Sequence, residues 1–204
     1  LLLRGDWPFC LQICRSEIAF NATYFRHDNG YFWCPTAHKS AAHTVMNGHG
    51  ANMSRHFDIK VAQIGDEAAV QRCAEDAYEQ YVAAIGKKPA PMVADFAFLI
   101  ASGCVHVAVE GESDVLGFIV FCHEGDNVFL ENVAVRSGAV GRGVGKQLIA
   151  FCEAEAKRMG AQSIKLYANE KMTENLSIYP HLGYRETGRR TEAGFNRVFF
   201  EKSI

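Results

Sequence analysis

From residue 58 onward, apolar and polar positions follow two periods that alternate along the chain. A two-residue period over 59–64 predicts a strand, and a helical period from Asp66 to Ile85 predicts a long helix closed by Gly86. The run Lys87-Lys88-Pro89-Ala90-Pro91 bars helix continuation, and a short second helix is expected over 94–101, ending before Gly103. Apolar runs at 104–109 and 115–122, separated by Glu-Gly-Glu-Ser-Asp, read as a hairpin, and 128–135 reads as the next strand. The stretch 147–158 places Leu148, Ile149, Phe151, Cys152 and Ala156 on one side, with Glu153, Glu155 and Lys157 outside. Alternation returns at 163–168. A helix capped by Thr173 then runs towards Gly183, and strands at 184–190 and 195–201 flank a turn at Glu192-Ala193-Gly194. The order is β-α-α-β-β-β-α-β-α-β-β, a mixed α/β domain. The strand–helix–strand passage from 128 to 168 implies parallel pairing through a right-handed crossover.

The sharpest chemical signal lies inside that crossover. An apolar strand ends at Val135, and Ser-Gly-Ala-Val-Gly-Arg-Gly-Val-Gly-Lys leads into a helix near Val144. Gly141, Gly143 and Gly145 let the backbone bend tightly and approach a ligand. Unpaired N–H groups at a helix start, with the positive end of its dipole, favour phosphate. A Walker A loop is excluded, because Val140 stands where its first glycine belongs and Gln147 follows Gly145-Lys146. The dinucleotide fingerprint fails too, since Lys146 or Leu148 takes the place of its third glycine.

Val133-Ala134-Val135 followed by Val140-Gly141-Arg142-Gly143-Val144-Gly145 resembles the pyrophosphate loop of the GNAT N-acetyltransferase superfamily, with Val140 where Gln or Arg is usual. The segment from Asn169 to Tyr184, with Tyr179 and a terminal Leu-Gly-Tyr, is similar to that family's later motif. The resemblance covers about residues 58–204 and implies the acyl-CoA N-acyltransferase fold, with acetyl-CoA as co-substrate. It implies that backbone at Val133, Ala134 and Val135 pairs with the pantetheine arm and supplies a donor to the carbonyl. The phosphates would rest on Gly141, Arg142, Gly143, Val144, Gly145 and Lys146, with Arg142 and Lys146 offering charge. Met172 stands where the family has an asparagine, so Asn169 or Asn175 takes over the arm contact. Asn175 is preferred because it lies four residues before Tyr179, on the same helix face.

The implied activity is acetyl transfer to a primary amine of a small molecule or protein by direct attack. The alternative is a non-catalytic acyl-CoA-binding regulatory module, and a purely structural domain would leave the glycine-rich loop without a purpose. Tyr179 is the implied acid for the departing thiolate. Glu131, a charge inside an apolar strand, is the candidate base; a strand of strict alternation would put it on one face with Phe129, Val133 and Val135. The competing reading of Glu131 is a strand-edge carboxylate meeting solvent or an arginine. His106 and His123 are read as structural. The implied acceptor site draws on Tyr78, Tyr81, Ile85, Pro89, Pro91, Met92 and Phe96, with Arg189, Arg190 and Phe195 from the last hairpin.

Composition narrows the setting. The 204 residues, 49% apolar and 22% charged, suffice for one sizeable core. A net charge of −2 gives no basic field for nucleic acid and no polybasic membrane patch, and no apolar run approaches a bilayer span. Cys104, Cys122 and Cys152 fall in apolar patterns and read as buried free thiols, which suits a cytoplasmic location. Residues 1–52 show no sustained period and read as a poorly ordered or non-native extension before a start at Met53, leaving 53–204 as the acetyltransferase domain. Cys10, Cys14, Cys34 and His38 are spaced too loosely for structural zinc, so no metal is expected. A homodimer through the last strands or first helices is a family-level expectation only.

Overall fold

The computed structural model describes residues 57–204. The extension over 1–52, its cysteine and histidine set and the start at Met53 all lie outside the described residues. The described elements are β1 (Asp58–Val61), α1 (Glu67–Ile85), α2 (Phe96–Ala101), β2 (Val105–Glu110), β3 (Asp114–Glu124), β4 (Asn127–Val135), α3 (Val144–Arg158), β5 (Ser163–Asn169), α4 (Thr173–His181), β6 (Arg185–Glu192) and β7 (Phe195–Ser203). Their order is the one the periodicity predicts. Seven strands form one sheet in the order β1-β2-β3-β4-β5-β7-β6, antiparallel except for the parallel β4–β5 pair.

Local chemistry shifts some boundaries. The expected strand to residue 64 stops at Val61, because Ile64–Asp66 form a 3-10 turn in which Asp66 accepts from the Gln63 N–H. The second helix begins at Phe96 rather than 94; Asp95 caps it by accepting the Phe98 N–H at 2.9 Å. Thr173 is the first residue of α4 and not its cap, a place taken by Met172.

Both faces of the sheet are covered. Val70, Cys73, Ala74 and Tyr78 recur at helical spacing on α1 and pack with α2 against Val105, Val107, Phe118 and Val120. On the opposite face Leu148, Ile149 and Cys152 of α3 pack against Ile119, Phe121, Leu130 and Leu166. Gly117 leaves no room for a side chain: a Cβ there would lie 2.6 Å from the Ala134 carbonyl oxygen.

Two sequence expectations fail in the sheet. Cys104 and Cys122 are not free thiols: they form a disulfide between neighbouring strand ends, with Cα atoms 5.5 Å apart. Cys73 and Cys152 are free and buried, and desolvation pushes each thiol up to about 12. The second failure concerns β4. Its register against β3 runs Ile119↔Val133 and Val120↔Asn132, then slips to Phe121↔Leu130, so Glu131 is an extra, bulged residue. Residues on either side of the bulge reverse faces. Leu130 and Val133 both look towards α3, whereas Phe129 pairs with Cys122 on the side of Val120, Asn132 and α1. Glu131 therefore does not share one uninterrupted face with Phe129, Val133 and Val135.

Candidate active site

The parallel pairing of β4 with β5 covers only Asn127–Leu130 against Ser163–Leu166, although both strands continue. Beyond Leu130 the edge of β4 facing β5 is released from the ladder. Arg136 N–H donates to the Leu116 carbonyl of β3 at 3.0 Å, and the Ala134 carbonyl also lies against β3. Backbone groups alternate sides along a strand, so those of Val133 and Val135 point to the released edge. The Val133 carbonyl already meets a side chain there, 3.2 Å from the Tyr78 hydroxyl.

A cavity opens at this gap. Glu131, Asn132 and Val133 line it from β4, Tyr167 and Asn169 from β5, Asn175 and Tyr179 from α4, and Tyr78 from α1. Its remaining wall is largely apolar, including Ile85, Pro89, Pro91, Phe96, Leu99 and Phe195. Among the described residues lining it, Glu131 and Arg197 are the charged ones. Tyr179 is 7% exposed, with ring contacts to Tyr184 and Phe200, and burial pushes its phenol up to about 12. It stays protonated at neutral pH. Desolvation raises Tyr78 as well, and its hydroxyl donates to Asn132 Oδ1 at 2.5 Å. Asn175 Nδ2 lies 3.8 Å from Met172 Sδ, while Asn169 Oδ1 accepts the Lys171 N–H at 2.9 Å.

The glycine-rich loop leaves β4 at Arg136 and enters α3 at Val144. Gly141 and Gly143 adopt φ of +80° and +81°, a region that side-chain-bearing residues rarely occupy. Gly143 is the N-cap, so the first N–H groups of α3 begin immediately after it. The loop is tied down before it turns. Ser137 donates through N and Oγ to Asp76 of α1, at 2.5 and 3.0 Å, and Arg136 pairs with both oxygens of Asp114. Arg142 departs from expectation: its guanidinium turns back to Glu110 at 2.5 Å and its N–H donates to the Ala139 carbonyl. Its charge is committed inside the protein, because a carboxylate within reach of a forked donor outcompetes open solvent. Lys146 is exposed on the first turn of α3.

The expected acceptor residues divide. Tyr78, Ile85, Pro89, Pro91, Phe96 and Phe195 line the cavity, whereas Tyr81, Met92, Arg189 and Arg190 are not part of its wall. Met92 is 4% exposed in the core beside α1, and Tyr81 packs half-buried on that core with its ring 6.3 Å from that of Tyr78. Arg189 pairs with Glu186 and Arg190 with Glu192. His106 stacks on Phe121 at 4.8 Å, away from the cavity, and His123 is exposed.

A profile described as the acetyltransferase (GNAT) domain matches residues 101–186, a span holding β4, the glycine-rich loop and α4. Residues 101–186 thus carry a GNAT acetyltransferase domain match. No curated protein sequence matches it. Among solved structures, the PaiA N-acetyltransferase of Thermoplasma acidophilum in complex with coenzyme A superposes with a TM-score of 0.60 at 17% identity, covering 73% of this chain and 99% of that one. The ribosomal-protein-S18-alanine N-acetyltransferase of Escherichia coli gives 0.58 at 16%, covering 73% and 94%. YncA of Salmonella typhimurium with its cofactor acetyl-CoA gives 0.55 at 19%, covering 72% and 94%. At these identities the likeness is one of GNAT fold.

Two residues that line the cavity, Asn132 and Arg197, are not among the sequence expectations. Asn132 sits beside the bulge, 7% exposed, and only the bulge turns it towards Tyr78. Arg197, 5% exposed, follows Asn196 and precedes the apolar run Val198-Phe199-Phe200, so nothing local marks it as buried.

Proposed function

We propose that this GNAT chain is an N-acetyltransferase that moves the acetyl group of acetyl-CoA to a primary amine of a small molecule or protein by direct attack. The observation that carries this reading is the released edge of β4, where the Val133 N–H and the Val135 backbone face a gap beside a cavity lined by Glu131 and Tyr179. An extended amide-bearing arm can add to such an edge as a strand would. The N–H groups that open α3 after Gly143 offer the phosphates a donor set, and the committed Arg142 leaves Lys146 as the loop's charged contributor. Acetyl-CoA supplies the activated acetyl group when bound.

The chain's own residues do the rest. The Val133 N–H, fixed on the released edge, donates to the carbonyl oxygen as charge develops there, an effect typically worth about 10²–10³ in rate. Glu131 accepts a proton from the incoming ammonium, directly or through one water; with an amine pKa near ~10 that proton must leave first. The reading of Glu131 as base is supported by its being the bulged residue of β4 and one of the residues lining the cavity. Tyr179 keeps its proton because its surroundings disfavour phenolate, and it gives that proton to the departing sulfur. Asn175 contacts the arm from α4.

The test is thermal unfolding of the full chain with and without acetyl-CoA, followed by an amine screen. A ligand about 100-fold above its dissociation constant adds about 2.7 kcal/mol. In the screen, Glu131→Gln and Tyr179→Phe should each lower kcat by about 10²–10⁴ while the acetyl-CoA shift persists. No shift with the parent chain would end the reading.

A further inference from the structure

Among the described residues that line the cavity, Arg197 is a buried cation. Arg197 is 5% exposed, and its guanidinium carbon lies 3.9 Å over the Tyr167 ring. Among the described residues its hydrogen bonding is a single contact, Nη1 to Glu192 Oε2 at 3.2 Å. Glu192 is not dedicated to it, since its other oxygen accepts from Arg190 Nε at 2.5 Å. A guanidinium carries five donors in a rigid fork that matches a carboxylate. The ion pair with Glu192 uses one arm of the fork, and the remaining donors, which are not among the buried unpartnered atoms, are left for a ligand.

The position explains where the fork can act. Arg197 on β7 stands opposite Asn169 at the end of β5, and both line the cavity with Glu131. One carboxylate and one guanidinium thus bound a chamber whose other walls include Ile85, Phe96 and Phe195. This charge pattern is complementary to a molecule with an ammonium at one end, an anion at the other and an apolar body between.

We infer that Arg197 anchors a carboxylate of the acceptor, so that the amine acetylated is a hydrophobic amino acid or a close amino-carboxylate. The inference rests on the acetyltransferase reading above and narrows it. Glu131 receives the ammonium proton, Arg197 holds the carboxylate, and the apolar wall accepts the side chain. The opposing reading makes Arg197 a clamp on the β6–β7 turn through Glu192, with no preference among amines.

The experiment compares acetylation of L-leucine, L-phenylalanine and L-methionine with that of their carboxamides and of isoamylamine and 2-phenylethylamine, using the full chain and acetyl-CoA. A site built around a buried charge rejects partners that leave it unmatched, so kcat/KM should be about a hundredfold higher for the acids. Most of that difference should lie in KM. Arg197→Gln should erase the preference, and Arg197→Lys should restore part of it by keeping charge without the fork. Equal rates on acids and carboxamides, or no turnover of any acid by a chain that acetyl-CoA stabilises, would overturn the inference. The parent chain alone separates these outcomes, even where a variant fails to fold. Absence of an acetyl-CoA shift would instead strike the reading beneath it.

Discussion

The Tyr78 hydroxyl, carried on the fourth turn of α1, donates to Asn132 Oδ1 at 2.5 Å and lies 3.2 Å from the Val133 carbonyl, so one phenol braces β4 next to its bulge. Tyr78 and Asn132 are both buried. Removing the hydroxyl strands a buried acceptor at the point where β4 leaves its ladder. Tyr78→Phe should therefore cost about 1–3 kcal/mol of stability, seen as a lower Tm, and should reduce kcat more than it changes acetyl-CoA affinity. An unchanged Tm would show that the contact has no structural weight.

Gly117 and Gly145 make a matched pair for substitution by alanine. A Cβ at Gly117 meets the Ala134 carbonyl oxygen at 2.6 Å, a backbone atom that cannot step aside without moving β4. A Cβ at Gly145 meets only the Val135 Cγ2 at 3.4 Å, ordinary contact, on a helix where alanine is favoured. Denaturant unfolding should give Gly117→Ala a loss of about 1–3 kcal/mol and Gly145→Ala a change between zero and a gain of about 1 kcal/mol. The reverse order would contradict this packing.

His106 predicts how stability responds to acid. Buried between Phe121 and Phe151, with Nδ1 lacking a hydrogen-bond partner among the described residues, it is lowered to about 4 by desolvation, which outweighs the opposing pull of Glu155. The unfolded chain binds its proton near pH ~6.5, so between that value and 4 the unfolded state holds more protons. The contribution is complete above pH ~6.5 and is lost as pH falls towards 4, about 3 kcal/mol over the window. His106→Leu should flatten this part of the stability–pH curve. A variant curve parallel to the parent's would assign the acid sensitivity elsewhere.

The Cys104–Cys122 disulfide closes a loop of 18 residues around the β2–β3 hairpin. In the chain-entropy account a loop of that size stabilises by about 3 kcal/mol. Reductant should lower Tm by several degrees, and Cys104→Ser should reproduce the loss and make Tm insensitive to reductant. Non-reducing peptide mapping should join the two cysteine-bearing peptides. Separate peptides and a Tm indifferent to reductant in the parent would show that the bond does not form.

Much of the fold was legible because local rules and tertiary structure agree. Tyr78 and Val70 declare the inner face of α1 by their spacing, and the turn residues Gly86, Gly143 and Gly183 stand where helices must start or stop. The site was legible in parts: Gly141 and Gly143 through their backbone freedom, and Tyr179 and Glu131 through resemblance and misplaced charge. Arg142 was misjudged because its partner, Glu110, lies 32 residues away on β2 and appears only once the sheet is formed. Among the described residues no helix is long and apolar enough to cross a membrane.

By itself the sequence determined the order and type of every element from β1 to β7 and the glycine-rich entry to α3, since these follow from short-range periodicity and local backbone preference. Tertiary structure alone decided which cysteines join, where the β4–β5 ladder stops, and that Glu131 is the residue β4 carries in excess. The physical reason is register. A strand's own alternation cannot reveal an inserted residue, because the slip exists only relative to its neighbour β3. That slip turns Asn132 towards Tyr78 and sends Glu131 to the cavity.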